Sequence, residues 1–95
     1  MISIPMGGRS RDEIENQMAV IRKHLTDSGN EVVDSFFDCH EYPSVKHQDI
    51  YCLAKSLELM ADCDAVYFAP GWEKARGCII EHEVAERYRV HRYYG

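Results

Sequence analysis

The stretch "AVYFAPGWEKARGCIIEHEVA", residues 65–85, decides how this chain folds. It opens on an apolar, β-branched and aromatic run, which is the composition of a short buried strand. Pro70 and Gly71 then stop that strand, because proline lacks a ladder donor and glycine accepts turn conformations. From about residue 77 the apolar positions return at helical spacing, with Ile80, Val84 and Tyr88 on one face. A strand, a tight turn and a helix in immediate succession are the ingredients of a β-α-β unit. The only tryptophan, Trp72, and a carboxylate, Glu81, sit at this junction.

Working outward, the same alternation repeats. "ISIP", residues 2–5, reads as a short buried strand, and "MGGRS", 6–10, as a glycine-containing turn. Ser10 with Glu13 three residues later is the signature of a capping box, so a helix starts there. Ile14, Met18, Ile21 and Leu25 form its apolar stripe, and "DSGN", 27–30, carries a glycine stop. "EVVDSFF", 31–37, reads as a second strand and "DCHEYPSV", 38–45, as a loop. A second helix is expected over 47–62 with Ile50, Leu53, Leu57 and Met60 inward. "VHRYY", 90–94, fits either a short fourth strand or a tail.

The order β-α-β-α-β-α implies one α/β domain over residues 1–95. It would be a small three-layer, Rossmann-like or flavodoxin-like fold, a parallel sheet with helices on both faces. The expected strand order is 2-1-3, with the fourth segment beyond if it is a strand. Sheets of this kind bind ligands at the carboxyl ends of their strands, where the order reverses. That places "MGGRS" and "PGWEKARG" on opposite sides of one crevice.

Composition narrows the function classes. The chain has 95 residues and a net charge of −5, from 11 basic and 16 acidic residues. Polymeric nucleic acid needs a concentrated positive field, so it is not an expected partner, whereas a mononucleotide needs only one local anion seat. A domain this short buries only about two-thirds of its unfolded surface, and an oligomer would add to that. No apolar run reaches the ~20 residues that span a membrane. The start of the chain lacks the apolar core of a signal peptide. The four cysteines, Cys39, Cys52, Cys63 and Cys78, form no C-x-x-C pair and read as reduced cytosolic thiols. A zinc site built from Cys39, His40 and His47 matches no standard spacing, and "IEHEV" is not H-E-x-x-H, so neither metal nor cofactor is expected.

Three features of the crevice bear on chemistry. Gly7 and Gly8 let the backbone approach a ligand, and Arg9, the Ser10 hydroxyl and the helix start favour an anion. The same residues also suit a plain capped turn. Glu81 lies about one turn into the third helix, where the helix field favours an ionised carboxylate that can attack a sugar carbon. A glutamate there is also a common helix-dipole residue. Trp72 serves either as a stacking platform for a planar base or as a plug over the sheet end. Tyr67 and Phe68 read as core, His82 and Glu83 as solvated neighbours, and Arg76 as either an anion ligand or a solvated side chain.

On "ISIPMGG", "MADCDAVYFAPGWEKARGC" and "IIEHEVAERY" together, the chain resembles the nucleoside 2-deoxyribosyltransferase-like superfamily, in particular its short phage and prophage members. The likeness runs over nearly the whole chain. "SIPMGGR" is similar to the phosphate-side loop of the related deoxynucleoside monophosphate N-glycosidases. The resemblance implies a nucleoside or nucleotide ligand. It implies contacts from Ser3, Met6, Gly7, Gly8, Arg9 and Ser10 on one side and Pro70, Gly71, Trp72, Arg76 and Gly77 on the other. Glu81 matches the glutamate that attacks C1′ in active relatives.

Two positions depart from the pattern. A second carboxylate stands eight residues before the aspartate that matches Asp64, and here it is Ser56. A serine after the tryptophan turn is here Ala75. Losing a positioned proton-transfer group costs on the order of 10²–10⁴ in rate. Asp49 lies two helical turns away, about 10 Å, and Glu58 points elsewhere. The expectation is therefore a nucleotide-binding protein without efficient turnover, of the kind that would sequester a nucleotide signal in a phage-infected cell. The alternative is a deoxyribosyltransferase or deoxynucleotide N-glycosidase with Glu81 as nucleophile. A third reading is a small structural domain whose function is its dimer surface. The resemblance also implies a cytoplasmic homodimer or larger assembly, with Tyr93 and Tyr94 as candidate contacts.

Overall fold

The computed structural model describes residues 1–33 and 44–95. Among these residues three strands, β1 (Ile2–Ser3), β2 (Ala65–Phe68) and β3 (His91–Tyr94), form one parallel sheet in the order β1-β2-β3. Three helices accompany them: α1 (Arg11–Asp27), α2 (Gln48–Ala61) and α3 (Arg76–Arg87). The fold is the small α/β arrangement expected, with the first strand beside the one at residue 65. The segment at 90–94 resolves as a strand. Of the second strand expected at 31–37, residues 31–33 are not strand, and 34–37 lie outside the described residues, as do Cys39 and His40.

Strand alternation sorts the core into two layers. On one face Ile2, Ile4 and Ala69 pack against Ile14, Met18 and Ile21 of α1, with Leu25, Val32 and Tyr67 at the margin. On the other, Met1, Val66 and Phe68 pack against Met60 of α2 and Ala85 of α3. Phe68 and Val66 are completely buried. α1 starts as its sequence requires: Ser10 is the N-cap, and its hydroxyl accepts a hydrogen bond from the Glu13 N–H at 3.2 Å.

Two helices differ from their sequence reading. In α3 the buried face is Cys78, Glu81 and Ala85, while Ile80 and Tyr88, expected inward, are 38% and 78% exposed. Val84 packs at the edge of the core as expected, but Phe68 already fills the layer beneath, so the helix approaches the sheet through Cys78 and Ala85 and turns Ile80 and Tyr88 outward. In α2 only the C-terminal half reaches the core. Met60 is buried and Leu57 packs at the edge, but Ile50, near the helix start, is 65% exposed. The cysteine reading also changes: Cys52 is disulfide-bonded, whereas Cys63 and Cys78 are free thiols. Sequence spacing alone does not show which cysteines a fold brings together. Among the described residues no helix is long and apolar enough to cross a membrane.

The assignment of the α3 face has a direct consequence. Phe68→Ala, which empties a filled site between sheet and helix, should cost about 3–5 kcal/mol in urea unfolding. Ile80→Ala should stay within about 0.5 kcal/mol, as surface changes do. Equal losses at the two positions would show that α3 is rotated from this placement.

Candidate functional site

Parallel pairing fixes which residues meet at the carboxyl end of the sheet. Ser3 lies opposite Phe68, and Phe68 lies opposite Tyr94. The three form one row across three strands. Ser3 and Phe68 both face the α2/α3 layer, as the alternation of Ile2 and Ile4 with Ser3 requires. The ladder continues just past this row, where the Ala69 N–H donates to the Ser3 carbonyl at 2.9 Å and the Gly95 N–H to the Phe68 carbonyl at 3.0 Å.

The loops after β1 and β2 therefore rise side by side. Gly71 has φ +89°, a left-handed conformation that favours glycine, and a side chain there would meet Pro5 Cγ at 3.7 Å. It bonds into the turn Trp72–Lys74, a single 3-10 turn that leads into α3. In the first loop Gly8 has φ +71°, and the Arg9 guanidinium donates to the Pro5 carbonyl at 2.9 Å. Arg9 is thus folded back on its own loop. Met6, Gly7, Gly8 and Ser10 are exposed at the rim, with the Ser10 hydroxyl occupied in capping α1. Pro70, Gly71 and Gly77 line the other rim and are exposed as well. Arg76 is drawn away from this space: its guanidinium pairs with Asp49 of α2 at 3.2 Å, and both side chains are largely exposed. Such a pair contributes little to stability. Ser56 is half-buried on α2, and Ala75 is the N-cap residue of α3 with no side-chain cap of its own.

Glu81 is the singular residue. It is the sixth residue of α3 and is 9% exposed, with Ser3 at 2% and Cys78 at 4% beside it. The Ser3 hydroxyl lies close enough to both to favour their ionised forms. Even so, neither Ser3 Oγ nor Glu81 Oε2 has a partner at hydrogen-bond distance and angle. The looser proximity and the missing bond are compatible: the groups are neighbours, and their hydrogen-bonding capacity remains unfilled. Burial pushes the Glu81 carboxyl above its ordinary value of 4.5, outweighing the Ser3 contribution. Burial likewise raises the Cys78 thiol, the Ser3 hydroxyl opposes this, and the Glu81 charge adds to it. The sequence reading gave the helix field control of Glu81. Desolvation wins because the field fades beyond the first turn and the side chain enters the protein.

Beside Glu81 stands an aromatic group that the sequence did not reveal. The His82 ring stacks on Trp72 at 4.2 Å and 17° and meets Phe68 edge-on at 4.9 Å. Its Nε2 is 2.7 Å from the Tyr94 hydroxyl. Trp72 is half-buried and packs on the α2/α3-side core, so one ring face is committed to His82. His82 is consequently a packed residue, not the solvated neighbour expected, while Glu83 is exposed. The signal in the sequence was positional: His82 follows Glu81 by one residue, and Tyr94 falls in register with Phe68 only if 90–94 is a strand.

A shallow, open hollow lined by Glu86, Arg89, Val90, His91 and Arg92 lies where β3 begins, at the other end of the sheet. It shares no residue with the Glu81 cluster. Among the described residues no group of three or more histidine, cysteine, aspartate or glutamate side chains gathers as metal ligands would; His47 is exposed at the start of α2.

The chain belongs to the family described as Domain of unknown function (DUF4406). The match covers residues 1–94, so the sheet, the three helices and the whole carboxyl-end row fall within it. No curated protein and no solved structure matches the chain.

The raised carboxyl has a sign that can be read in solution. Below about 4.5 Glu81 is neutral in both folded and unfolded chains, and its burial costs no ionisation energy. As pH rises through the folded-state value, the folded form must ionise a desolvated group and loses stability relative to the unfolded chain. Glu81→Gln should therefore be more stable than wild type at neutral pH, by on the order of 1 kcal/mol. The advantage should vanish as pH falls below 4.5. Thermal melts of both proteins from pH 4 to 8 check this, and a constant or inverted difference would place Glu81 in a solvated or paired setting.

Proposed function

We propose that this protein binds a nucleoside or nucleotide at the carboxyl end of its sheet, between the loops that follow β1 and β2. The reading rests on the resemblance to the nucleoside 2-deoxyribosyltransferase-like superfamily. The observation that carries it is the pair of unfilled polar groups, Ser3 Oγ and Glu81 Oε2, buried together beneath those two loops. A sugar hydroxyl is a donor and acceptor of the size and chemistry that such a pair lacks. Glycine at positions 8 and 71 supports the reading, since both loops adopt backbone conformations that leave the rim free of side chains there.

Ser56 and Ala75 stand where active relatives hold polar groups, which favours ligand retention over rapid turnover. In a phage-infected bacterial cytoplasm such a protein would sequester a nucleotide signal. The exposed apolar residues Ile50 on α2 and Ile79 and Ile80 on α3 fit the homo-oligomer that the resemblance implies.

One observation favours a second reading, in which the chain cleaves or transfers an N-glycosidic bond. A buried carboxylate with one oxygen unfilled is costly to keep, and that oxygen, once ionised, is available as a nucleophile toward C1′. Thermal shift against a panel of deoxynucleosides, their 5′-monophosphates and cyclic nucleotides should show a raised Tm for at least one of them. Chromatography of the same mixtures for free base then separates the readings. Base release that disappears in Glu81→Ala identifies the enzyme. A Tm shift without base release identifies the binder. Neither signal across the whole panel would remove the nucleotide reading.

A further inference from the structure

β3 forms one edge of the sheet: among the described residues no strand lies beyond it. Its pairing with β2 decides which of its backbone groups are used. The Gly95 N–H donates to the Phe68 carbonyl, and the register sets Tyr93 beside Tyr67 and His91 beside Ala65. In a parallel ladder alternate residues turn both their N–H and their C=O toward the neighbouring strand. On β3 these are His91, Tyr93 and Gly95, so Arg92 and Tyr94 turn theirs outward. Those outward groups have no partner among the described residues.

Nothing described here shields that edge. α3 stands over β2, with Glu81 reaching toward Ser3 of β1 and His82 toward Tyr94 of β3. On the opposite face the core under α1 ends at Tyr67, and His91 and Tyr93 lie exposed, Tyr93 at 51%. Edge strands are commonly guarded by a proline, a bulge or a charge laid across the edge. β3 has neither proline nor bulge. Its arginine is drawn inward: the Arg92 guanidinium donates to the carbonyls of Ala85 at 3.1 Å and Val90 at 3.2 Å, at the end of α3.

The strand is complementary to itself. Two copies of β3 can lie antiparallel about a two-fold axis normal to the sheet, which keeps like faces on the same side. With Arg92 opposite Tyr94 of the second copy, every outward N–H and C=O on both strands finds a partner. Tyr93 then meets its own counterpart across the axis as a non-hydrogen-bonded pair, with Cα atoms about 4.5 Å apart. Aromatic pairs at such positions are favourable. A shift of register one way sets Arg92 against Arg92, a like-charge pair, and sets Tyr94 against Val90, whose N–H already donates to the Ala85 carbonyl at 2.8 Å. A shift the other way carries Arg92 past the end of the opposing strand.

We infer that this protein forms a homodimer in which the two β3 strands join in this register to make one continuous sheet. The strands run antiparallel across the join, so the two carboxyl-end crevices lie at opposite ends of the joined sheet. Each copy keeps its own Ser3 and Glu81. The inference is independent of what the crevice binds, and it assigns self-association to the strand edge instead of Ile50, Ile79 and Ile80 on the helices.

The test is sedimentation velocity of the full chain over a micromolar concentration series, with cross-linking of variants. Wild type should pass from monomer to dimer as concentration rises. Tyr93→Cys, treated with oxidised glutathione, should become a disulfide-linked dimer, because a Cα separation of about 4.5 Å is within reach of a disulfide. Tyr88→Cys, equally exposed but off the strand, should not. Tyr94→Pro removes an outward N–H and leaves the β2 ladder intact. By symmetry it deletes that bond in both halves, and it should weaken the dimer by roughly tenfold or more. Tyr94→Ala loses the same ring but keeps the N–H, so it should weaken the dimer less. Far-UV circular dichroism checks that each variant is folded, and if Tyr94→Pro is not, the cross-link decides. A wild type that stays monomeric throughout would overturn the inference. So would equal cross-linking of Tyr93→Cys and Tyr88→Cys. A dimer that neither cross-links at position 93 nor weakens in folded Tyr94→Pro would also overturn it and pass self-association to the helix isoleucines.

Discussion

The pairing of β1 with β2 is the constraint on which the rest depends. Around the ladder pairs Ile2–Tyr67 and Ser3–Phe68, the Tyr67 N–H donates to the Met1 carbonyl at 2.8 Å, the Ala69 N–H to the Ser3 carbonyl at 2.9 Å, and the amino group of Met1 to the Ala65 carbonyl at 3.2 Å. Because the strands are parallel, both leave the sheet at the same end, and the loops at residues 6–10 and 70–75 must be neighbours. Because side chains alternate, Ile2 and Ile4 go to α1 and Ser3 goes to α3. A slip of one residue would send Ser3 into the apolar layer under α1 and bring an isoleucine beneath Glu81. The burial of Ile2 and Ile4 against Ile14, Met18 and Ile21 is what makes that slip unfavourable. The core on one face thus fixes the position of the polar group on the other.

Much of this order could be read from the chain. Alternation of short apolar runs with amphipathic segments implies a parallel sheet whatever the tertiary details, and Ser10 with Glu13 marks a helix start by local hydrogen bonding alone. The placing of Glu81 near a strand end followed from the same alternation. Three-dimensional competition was not legible. The stripe Ile80, Val84 and Tyr88 scores as well as Cys78, Glu81 and Ala85 for helical spacing, and hydrophobicity favours the first. The bulk of Phe68 beneath the helix turns Ile80 and Tyr88 outward and leaves Val84 at the edge of the core, and the sequence does not say which strand residue lies under which helix. Ile50 fails for a related reason, since periodicity gives the face of α2 but not how far along it the sheet extends. The His82–Tyr94 contact spans 12 residues and depends on the register of a four-residue edge strand that could equally have been a tail. The disulfide at Cys52 depends on chain proximity, which spacing does not encode.

The two layers of the protein do different work. The α1 side is apolar throughout, with isoleucine and methionine interlocked over Ile2 and Ala69. The α3 side is a mixture. Val66, Phe68, Met60 and Ala85 are dry core, but at the carboxyl end the layer becomes aromatic and then polar, through Trp72 and His82 to Cys78, Ser3 and Glu81. Aromatic rings suit that boundary, since they bury large apolar faces while presenting polar edges. Packing by Phe68, Trp72 and Tyr94 holds the His82 ring at a fixed angle, with its Nε2 2.7 Å from the Tyr94 hydroxyl.

A folded chain satisfies nearly all of its buried polar atoms, because an unfilled donor or acceptor costs about 1–3 kcal/mol, and a charged one more. Among the described residues the unfilled side-chain atoms are Ser3 Oγ and Glu81 Oε2, and they share one place. They are not scattered as imperfect packing would leave them. A stability-driven sequence has simple remedies here: alanine at position 3, or glutamine or leucine at 81, in a helix whose other buried residues are already small or apolar. Local rules are broken where something other than folding decides the residue, and the strain is carried by the regular core around it. The α1 layer and the filled space around Phe68 supply that support, which is how a domain of this size can hold a carboxyl group out of water at the mouth of its sheet.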